Sequence, residues 1–146
     1  LTQARYGIAW GAIGAARDSF EEARQYATDR EQFETPIASF QMQQDKLAEM
    51  ATQITLAQLL AYRLAELKED GRMTPQHVSM AKRNNVRMAR NQTRVAREIL
   101  GGNGITTDYS PMRHMQNMET VYTYEGTHDI HTLVIGEELT GFQAYQ

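Results

Sequence analysis

The sequence lacks several residue types and patterns, and each absence excludes a class of protein. It contains no cysteine, so neither a disulfide framework nor a thiolate metal site can form. No apolar run approaches the roughly 20 residues that a membrane-spanning helix requires, so we expect neither a membrane span nor a secretory signal. A net charge of -3 argues against bulk electrostatic binding of nucleic acid.

Proline is scarce as well, and the rest of the composition is typical of a globular protein, with 41% hydrophobic and 23% charged residues. Apolar residues recur at steps of three and four, which predicts three long helices. Their expected inner positions are Tyr6, Ala9, Ile13, Ala16, Phe20, Ala23 and Ala27, then Phe40, Leu47, Met50, Ile54, Ala57, Ala61 and Leu64, then Val78, Ala81, Met88, Val95 and Ile99. Asn85 and Gln92 interrupt the apolar row of the third helix.

Local start and stop signals agree with these helices. Ser39 precedes the second helix, and Thr74-Pro75 offers an N-cap followed by proline at the first helical position. Ser110-Pro111 repeats that arrangement before a shorter fourth segment. Asp70-Gly71 and Gly101-Gly102 are typical helix stops.

A last helix is predicted from near Thr127 to before Gly141, with Ile130, Leu133 and Val134 on its inner face. No stretch alternates between apolar and polar residues as a strand would. Helices of this length pack side by side, so the predicted fold is all-α. We expect an antiparallel bundle of long helices, of the four-helix-bundle type, with a short extra helical segment.

The third helix carries a row of arginines at steps of three and four. The row consists of Arg83, Arg87, Arg90, Arg94 and Arg97. Such a stripe can meet phosphates, but a solvated or salt-bridged surface is the commoner explanation. Asp45, Glu49 and Glu66 on the second helix are the acidic partners that the spacing suggests.

The run Gly101-Gly102-Asn103-Gly104 has two interpretations from its residues alone. Glycines let backbone amides approach an anion closely, as in a phosphate-binding loop. They also end helices and form tight turns, and no strand precedes this run as a dinucleotide fingerprint requires. Both interpretations stay open at this point.

The densest polar cluster runs from Tyr122 to His131 and contains a glutamate beside a glycine. Glu125 comes just before the predicted last helix, Gly126 gives the backbone freedom, and Thr127 offers a capping hydroxyl. A carboxylate on such a bend is well placed to reach a ligand. The alternative is a residue that merely favours a helix amino end.

A metal site is a further alternative at this cluster. Glu125 and His128 form an E-x-x-H pair, as in di-iron bundle proteins, and His131 is a possible third ligand for zinc. The di-iron centre needs a second E-x-x-H pair, which this sequence lacks. The glycine and the helix start also break the geometry of a fixed zinc site. We therefore expect no metal.

Three stretches carry motifs in a fixed order. They are Asp29-Arg-Glu-Gln-Phe-Glu-Thr-Pro-Ile37 with Phe40-Gln41, then Glu98-Ile-Leu-Gly-Gly-Asn-Gly-Ile-Thr-Thr-Asp108 with Arg113 and Asn117, and Tyr124-Glu-Gly-Thr-His-Asp-Ile-His131. Together they resemble the acyl-CoA dehydrogenase family. The His-Asp-Ile-His ending and the opening Ala4-Arg-Tyr-Gly-Ile-Ala-Trp10 are similar to its glutaryl-CoA dehydrogenase branch. Glu34 departs from the pattern, because the family usually has glycine after the phenylalanine.

The resemblance implies a role for many residues. Glu125 matches the catalytic base that removes the α-proton of an acyl-CoA thioester, and Gly126 matches the thioester end of the substrate site. The remaining substrate positions are Leu1, Ala4 and Arg5, near the CoA portion. The implied FAD contacts are Arg30, Gln41, Glu98, Ile99, Leu100, Gly101, Gly102, Thr127, Asp129 and Tyr145.

The resemblance also implies a larger protein. Family members have an amino-terminal helical domain and a middle β-domain, so residues 1–146 would be the carboxyl-terminal domain, inactive by itself. The implied assembly is a homotetramer in the cytoplasm, or in the mitochondrial matrix of a eukaryote, that passes electrons to an electron-transfer flavoprotein. An acyl-CoA oxidase domain and a non-catalytic helical assembly module remain the alternatives.

Overall fold

The computed structural model describes residues 1–144, which form five α-helices and a very short hairpin. The elements are α1 (Thr2–Asp29), β1 (Glu31–Gln32), β2 (Thr35–Pro36), α2 (Gln41–Glu69), α3 (Pro75–Ile99), α4 (Ser110–Thr123) and α5 (His128–Thr140). Short 3-10 turns cover Ile37–Ser39 and Gly101–Ile105. The prediction of an all-α fold built on long helices is confirmed.

Buried clusters at the two ends of the bundle fix the helix directions. At one end Ala27 of α1 packs with Met50 of α2 and Ile99 of α3. At the other end the cluster joins the opposite ends of these helices through Ala9 and Leu64. The helix α2 therefore runs antiparallel to α1 and α3, which run in the same direction.

The interior of the bundle is built largely from alanine, and its small side chains allow the helices to approach closely. Asn85 lies inside this seam, fully buried, and its Nδ2 donates to the carbonyl oxygens of Ala9 at 3.0 Å and Ala57 at 3.2 Å. As expected, the polar residues Asn85 and Gln92 interrupt the apolar seam, and both are buried in it. Asn85 satisfies its amide by joining α3 to α1 and α2.

The helix boundaries follow most of the local signals. Thr74 caps α3 in a capping box with His77, and Gly71 has φ +68 just after α2. Ser39 precedes α2 as expected, but it does not cap the helix. Phe40 is the N-cap of α2, and the Ser39 hydroxyl instead donates to the Pro36 carbonyl at 2.6 Å.

A two-residue turn joins β1 and β2, and the sequence pattern did not predict this hairpin. Phe33 and Glu34 have φ values of 56° and 64°, both in the left-handed region. Two central residues with positive φ are characteristic of the type I′ hairpin turn. The position of Glu34 therefore favours glycine, the residue that the family pattern has there.

The orientation predicted for α5 was partly wrong. Ile130 is 42% exposed, whereas His131 is 1% exposed and faces the bundle. Leu133 and Val134 are half-buried. Among residues 1–144, no helix combines the length and the apolar character needed to cross a bilayer.

The arginine row of α3 finds a different partner from those expected. Arg90 and Arg94 both bind the Glu119 carboxylate on α4, rather than Asp45, Glu49 or Glu66 of α2. The hydrogen bond from Arg90 holds the pKa of Glu119 below its ordinary value. The stripe therefore joins α3 to α4 through part of its length.

Candidate active site

The segment between α4 and α5 is a sharp bend that contains Glu125. Its backbone φ is 56°, which is unusual for a residue with a side chain, and Gly126 follows with φ +92°. A left-handed non-glycine residue costs about 1–3 kcal/mol and persists only where its surroundings hold it. Thr127 then caps α5, because its hydroxyl accepts from the Ile130 amide at 3.1 Å.

Lys82 of α3 lies against this bend and forms hydrogen bonds with its main chain. It is 1% exposed, and its Nζ donates to the carbonyl oxygens of Val121 at 3.0 Å, Tyr124 at 2.9 Å and Gly126 at 2.7 Å. Burial, together with the positive charge of Arg5, lowers the pKa of Lys82 to about 8, while the charge of Glu125 opposes this shift.

Two further contacts fix the bend from α1 and α5. Arg5 Nε donates to the Glu125 carbonyl oxygen at 2.8 Å. Gly126 lies against the imidazole of His131, and a Cβ at Gly126 would stand 2.9 Å from its Nε2. A side chain at position 126 is therefore disfavoured both by φ and by space.

His131 is a buried imidazole beneath the bend. Its Nδ1 lies 3.0 Å from the Ser79 hydroxyl of α3. Burial, aided by the positive charges of Lys82 and Arg5, lowers the pKa of His131 to about 4. The ring is therefore neutral at pH 7.

The Glu125 side chain is the unusual feature of the bend. Its Oε2 is buried, and it has no hydrogen-bond partner among residues 1–144. Burying a polar atom without a partner costs free energy, so native proteins contain few such atoms. The chain itself therefore leaves this carboxylate oxygen without a hydrogen-bond donor among residues 1–144.

Aromatic and cationic side chains from the helices next to the bend pack against one another. Tyr122 stacks on His128 with ring centroids 4.6 Å apart, and the Arg90 guanidinium lies 4.6 Å from the Tyr122 centroid. Burial is the main cause that lowers the pKa of His128, and the charges of Arg83 and Arg87 add to it.

The metal alternative finds no geometric support here. Among residues 1–144, no group of three or more His, Asp or Glu side chains lies close enough to hold a metal ion. His131 directs its Nδ1 to a hydroxyl of α3. In this part of the chain, Glu125, His128 and His131 are not brought together as a set of ligands.

An open groove of about 890 Å³ lies at the carboxyl ends of α1 and α3, beside the hairpin. It collects the predicted cofactor positions Arg30, Gln41, Glu98, Ile99, Leu100, Gly101 and Gly102. Gly102 is exposed and has open space where a Cβ would stand, so a ligand can approach its main chain. Part of this glycine run is structural, because a Cβ at Gly104 would stand 2.3 Å from the Arg97 carbonyl oxygen.

A second groove of about 670 Å³ runs between α1 and α4 and reaches Tyr124, next to Glu125. Small residues of α1 form much of its lining, among them Gly7 and Gly11. Of the predicted substrate positions, Ala4 lines this groove, Arg5 contacts the bend, and Leu1 is exposed at the start of α1.

The remaining predicted cofactor positions lie away from the large groove. Thr127 and Asp129 occupy the amino end of α5, where Thr127 is the cap and Asp129 is exposed in the first turn. Tyr145 lies outside the described residues. The structure therefore gathers most of the predicted positions into two places, the bend and the large groove, while Ala4 lines the groove between α1 and α4.

The sequence matches the model of a known protein family. A family model described as acyl-CoA dehydrogenase, C-terminal domain, matches residues 1–140. The chain belongs to the acyl-CoA dehydrogenase family. This membership confirms the resemblance seen in the motifs around Arg30, Gly101 and Glu125.

Solved acyl-CoA dehydrogenases have the same helical arrangement. A glutaryl-CoA dehydrogenase from Mycobacterium smegmatis matches with a TM-score of 0.97 and 50% identity, over 99% of this chain and 38% of that chain. A structure of a glutaryl-CoA dehydrogenase from Mycobacterium smegmatis in complex with FADH2 matches with a TM-score of 0.96 and 46% identity, over 98% of this chain and 37% of that chain.

A further relative is named for a different activity. The 3-(aryl)acrylate reductase of Clostridium sporogenes is 37% identical over 95% of this chain and 37% of its own length. The chain thus spans little more than a third of the length of these relatives.

Lys82 and His131 are the residues packed against the bend whose contacts the sequence did not predict. Lys82 stands within an arginine-rich helix, where one more cation suggests a solvated face. The sequence offers His131 as a possible metal ligand and as the end of the His-Asp-Ile-His motif, with no sign of its burial. The roles of both residues depend on the tertiary contact between α3 and the bend, which the sequence does not show.

Proposed function

We propose that this chain is the carboxyl-terminal helical domain of an FAD-dependent acyl-CoA dehydrogenase, in which Glu125 removes the α-proton of an acyl-CoA thioester. The observation that carries the proposal is the buried Oε2 of Glu125, which has no partner among residues 1–144. Such an atom is expected where a substrate completes the site. A carboxylate held within reach of a C–H bond can act as a general base.

The residues of the large groove fit a phosphate-bearing cofactor. Arg30 offers a planar guanidinium, which suits phosphate oxygens, and Gln41 offers an amide. Gly102 leaves its main chain open to a ligand. When bound, FAD would accept the β-hydrogen of the substrate as a hydride. We assign Thr127, Asp129 and Tyr145 to the same cofactor on the basis of the family pattern.

The residues of this chain would position the Glu125 carboxylate and keep water away from it. Lys82 and Arg5 donate hydrogen bonds to the main-chain carbonyls of the bend. These contacts fix the position of the backbone from which the Glu125 side chain extends. We assign Gly126 to the thioester end of the substrate on the basis of the family pattern. The groove between α1 and α4 would admit an acyl chain as far as Tyr124 and exclude water there.

Glutaryl-CoA is the substrate that we propose. Support comes from the His128-Asp129-Ile130-His131 ending and from the 50% identity to a glutaryl-CoA dehydrogenase. The matched test compares kcat/KM of the full-length enzyme for glutaryl-CoA and for butyryl-CoA, which lacks the distal carboxylate. Preference for butyryl-CoA, or for an arylacrylate thioester, would contradict this assignment.

The electron acceptor that we propose is an electron-transfer flavoprotein, and the competing proposal is an oxidase that reduces oxygen. The test follows oxygen consumption by the full-length enzyme during acyl-CoA oxidation. A dehydrogenase consumes little oxygen and depends on an added flavoprotein acceptor. Stoichiometric oxygen uptake without the acceptor would support the oxidase.

Substitution of the proposed base gives the first testable prediction. We expect Glu125→Gln in the full-length enzyme to lower kcat by roughly 10²–10⁴-fold, because the amide cannot take a proton. Circular dichroism should show an unchanged melting temperature. Glu138→Gln, an exposed carboxylate of α5, is the control and should retain activity.

The same experiment separates catalysis from a purely structural role. In a helical assembly module, Glu125 would act only as a residue near a helix end. Glu125→Gln would then change stability or assembly and leave turnover intact. An active Glu125→Gln enzyme with a lowered melting temperature would therefore refute the proposed base.

A further inference from the structure

Lys82 is a charged residue buried in the middle of α3, where it packs beneath the α4–α5 bend. It is 1% exposed, and lysine is almost never fully buried unless its charge is paired. Here the partners are main-chain carbonyl oxygens rather than a carboxylate. The burial of this cation therefore requires a reason beyond packing.

The geometry of its contacts is complete. An ammonium group has three N–H donors and no acceptor, and Nζ reaches the carbonyls of Val121 at 3.0 Å, Tyr124 at 2.9 Å and Gly126 at 2.7 Å. The Val121 and Tyr124 carbonyls lie at the carboxyl end of α4, where helix carbonyls lack partners and a cation is favourable.

Two of these carbonyls flank Glu125 directly. The backbone of Glu125 has φ 56°, a conformation that its surroundings must maintain. Arg5 of α1 holds the carbonyl of Glu125 itself. Lys82 and Arg5 together restrain three consecutive carbonyls, and both stand on long, packed helices.

We propose that Lys82 is a positioning residue, whose buried ammonium group ties both sides of Glu125 to α3 and so sets where the carboxylate points. The inference rests on the proposed function of Glu125 as the base. Removing the donors would let the bend relax, and a misplacement of about 1 Å can cost roughly 100-fold in rate.

The test begins with Lys82→Met in the full-length enzyme, since methionine keeps the length and apolar stem but removes every donor. We expect kcat per bound flavin to fall by roughly 100-fold while KM changes less than about threefold, because positioning of the base acts on the chemical step. Lys68→Met is the control, a lysine on α2 whose Nζ lies over the Tyr6 ring. Equal kcat in the two variants would overturn the proposal.

Rescue distinguishes positioning from loss of folding. Lys82→Ala leaves a cavity that matches propylammonium, which restores the missing donors, while 1-propanol fills the same space with a single hydroxyl. We expect propylammonium to raise kcat at least roughly tenfold and 1-propanol to have no such effect. Rescue by both, or by neither, would mean that the donors are not what matters.

Two further tests decide the proposal even if Lys82→Met and Lys82→Ala fail to fold. They use a more conservative variant and a measurement on the wild-type enzyme. Lys82→Gln retains two N–H donors, so its kcat should lie between those of the wild type and Lys82→Met. In the wild-type enzyme, hydrogen exchange at Tyr124–Thr127 should be slower than at the exposed hairpin turn of Phe33 and Glu34. Equally fast exchange would refute a held bend.

The exchange measurement also keeps the two proposals apart. A wild-type enzyme that oxidises no acyl-CoA would refute the proposed function, and exchange at residues 124–127 in the wild type and Lys82→Gln would still decide whether Lys82 holds the bend. An active wild type with an unchanged kcat in Lys82→Met would refute the role of Lys82 alone.

Discussion

Glu125 and His131 show how single residues at the bend depend on distant contacts. Glu125 adopts a left-handed backbone that would be unfavourable in an isolated peptide, and the contacts from Lys82 and Arg5 hold it there. His131 is buried beneath Gly126 with one nitrogen facing Ser79. Sequence alone indicated Glu125, because its neighbour is glycine, but gave no sign of the cations below it.

The buried imidazole leads to a prediction at the residue scale. The pKa of His131 is about 4, below its ordinary 6.5, so the unfolded chain binds a proton at a higher pH than the folded chain does. The resulting stability of about 3 kcal/mol is fully present above pH 6.5 and is lost as the pH falls toward 4. Urea unfolding of the wild type and of His131→Gln at several pH values measures it.

The difference in the free energy of unfolding between the wild type and His131→Gln isolates the contribution of His131, because the other titrating groups are common to both proteins. The free energy of unfolding should fall more steeply from pH 7 to pH 4.5 in the wild type than in His131→Gln. Parallel curves over this range would mean that His131 takes up its proton equally well in the folded protein.

Glu34 gives a second prediction at the residue scale. Its φ of 64° costs an L-residue about 1–2 kcal/mol, which glycine avoids, although glycine loses more entropy on folding. Glu34→Gly should therefore raise the free energy of unfolding by about 0.5 kcal/mol. Glu31→Gly, in the adjoining strand, is the matched control and should lower it. A loss of stability in Glu34→Gly would contradict the assigned turn.

At the scale of elements, the predictability of this fold depends on the length of each element. The long helices follow from apolar spacing, because 25 or more residues repeat the pattern in each of α1, α2 and α3. The hairpin has two residues per strand, too few to show any alternation. In α5 the buried residue is a histidine, so a search for apolar residues selected Ile130 instead.

The glycine run after α3 contains a structural glycine, Gly104, and a glycine proposed to face the cofactor, Gly102, and one substitution at each position distinguishes them. A Cβ at Gly104 would stand 2.3 Å from a backbone oxygen, so Gly104→Ala should destabilise the protein by about 2 kcal/mol or more. Gly102→Ala meets open space and should leave stability within about 0.5 kcal/mol. Thermal unfolding of both variants checks this.

The proposed cofactor groove predicts a second difference between these variants. Gly102→Ala should weaken FAD binding in the full-length enzyme, since its methyl group enters the groove where a ligand would lie. Fluorescence titration with FAD measures the effect. Unchanged FAD affinity in Gly102→Ala would argue that no ligand approaches this part of the loop.

At the scale of the whole molecule, the bend and the large groove lie at opposite ends of α1. Arg5 contacts the bend and Arg30 lines the groove, and a rise of 1.5 Å per residue separates them by roughly 38 Å. The sequence indicated both places but not their separation, because motif order carries no distance. If one FAD molecule contacts both a bend and a large groove, the two surfaces must belong to different copies of the chain, because they lie too far apart within one copy.

Association of copies is therefore the last prediction, and α2 offers a surface for it. Leu56, Leu59 and Tyr62 are 52%, 59% and 61% exposed on this helix, and grouped exposed apolar residues often mark protein contacts. We expect Leu59→Glu to shift the full-length enzyme to a smaller species in sedimentation and to weaken FAD binding with it. Gln116→Glu, an exposed position of α4, should change neither. An enzyme that remains fully assembled with Leu59→Glu would place the contact on another face, and a monomer that binds FAD tightly would refute the sharing of the cofactor.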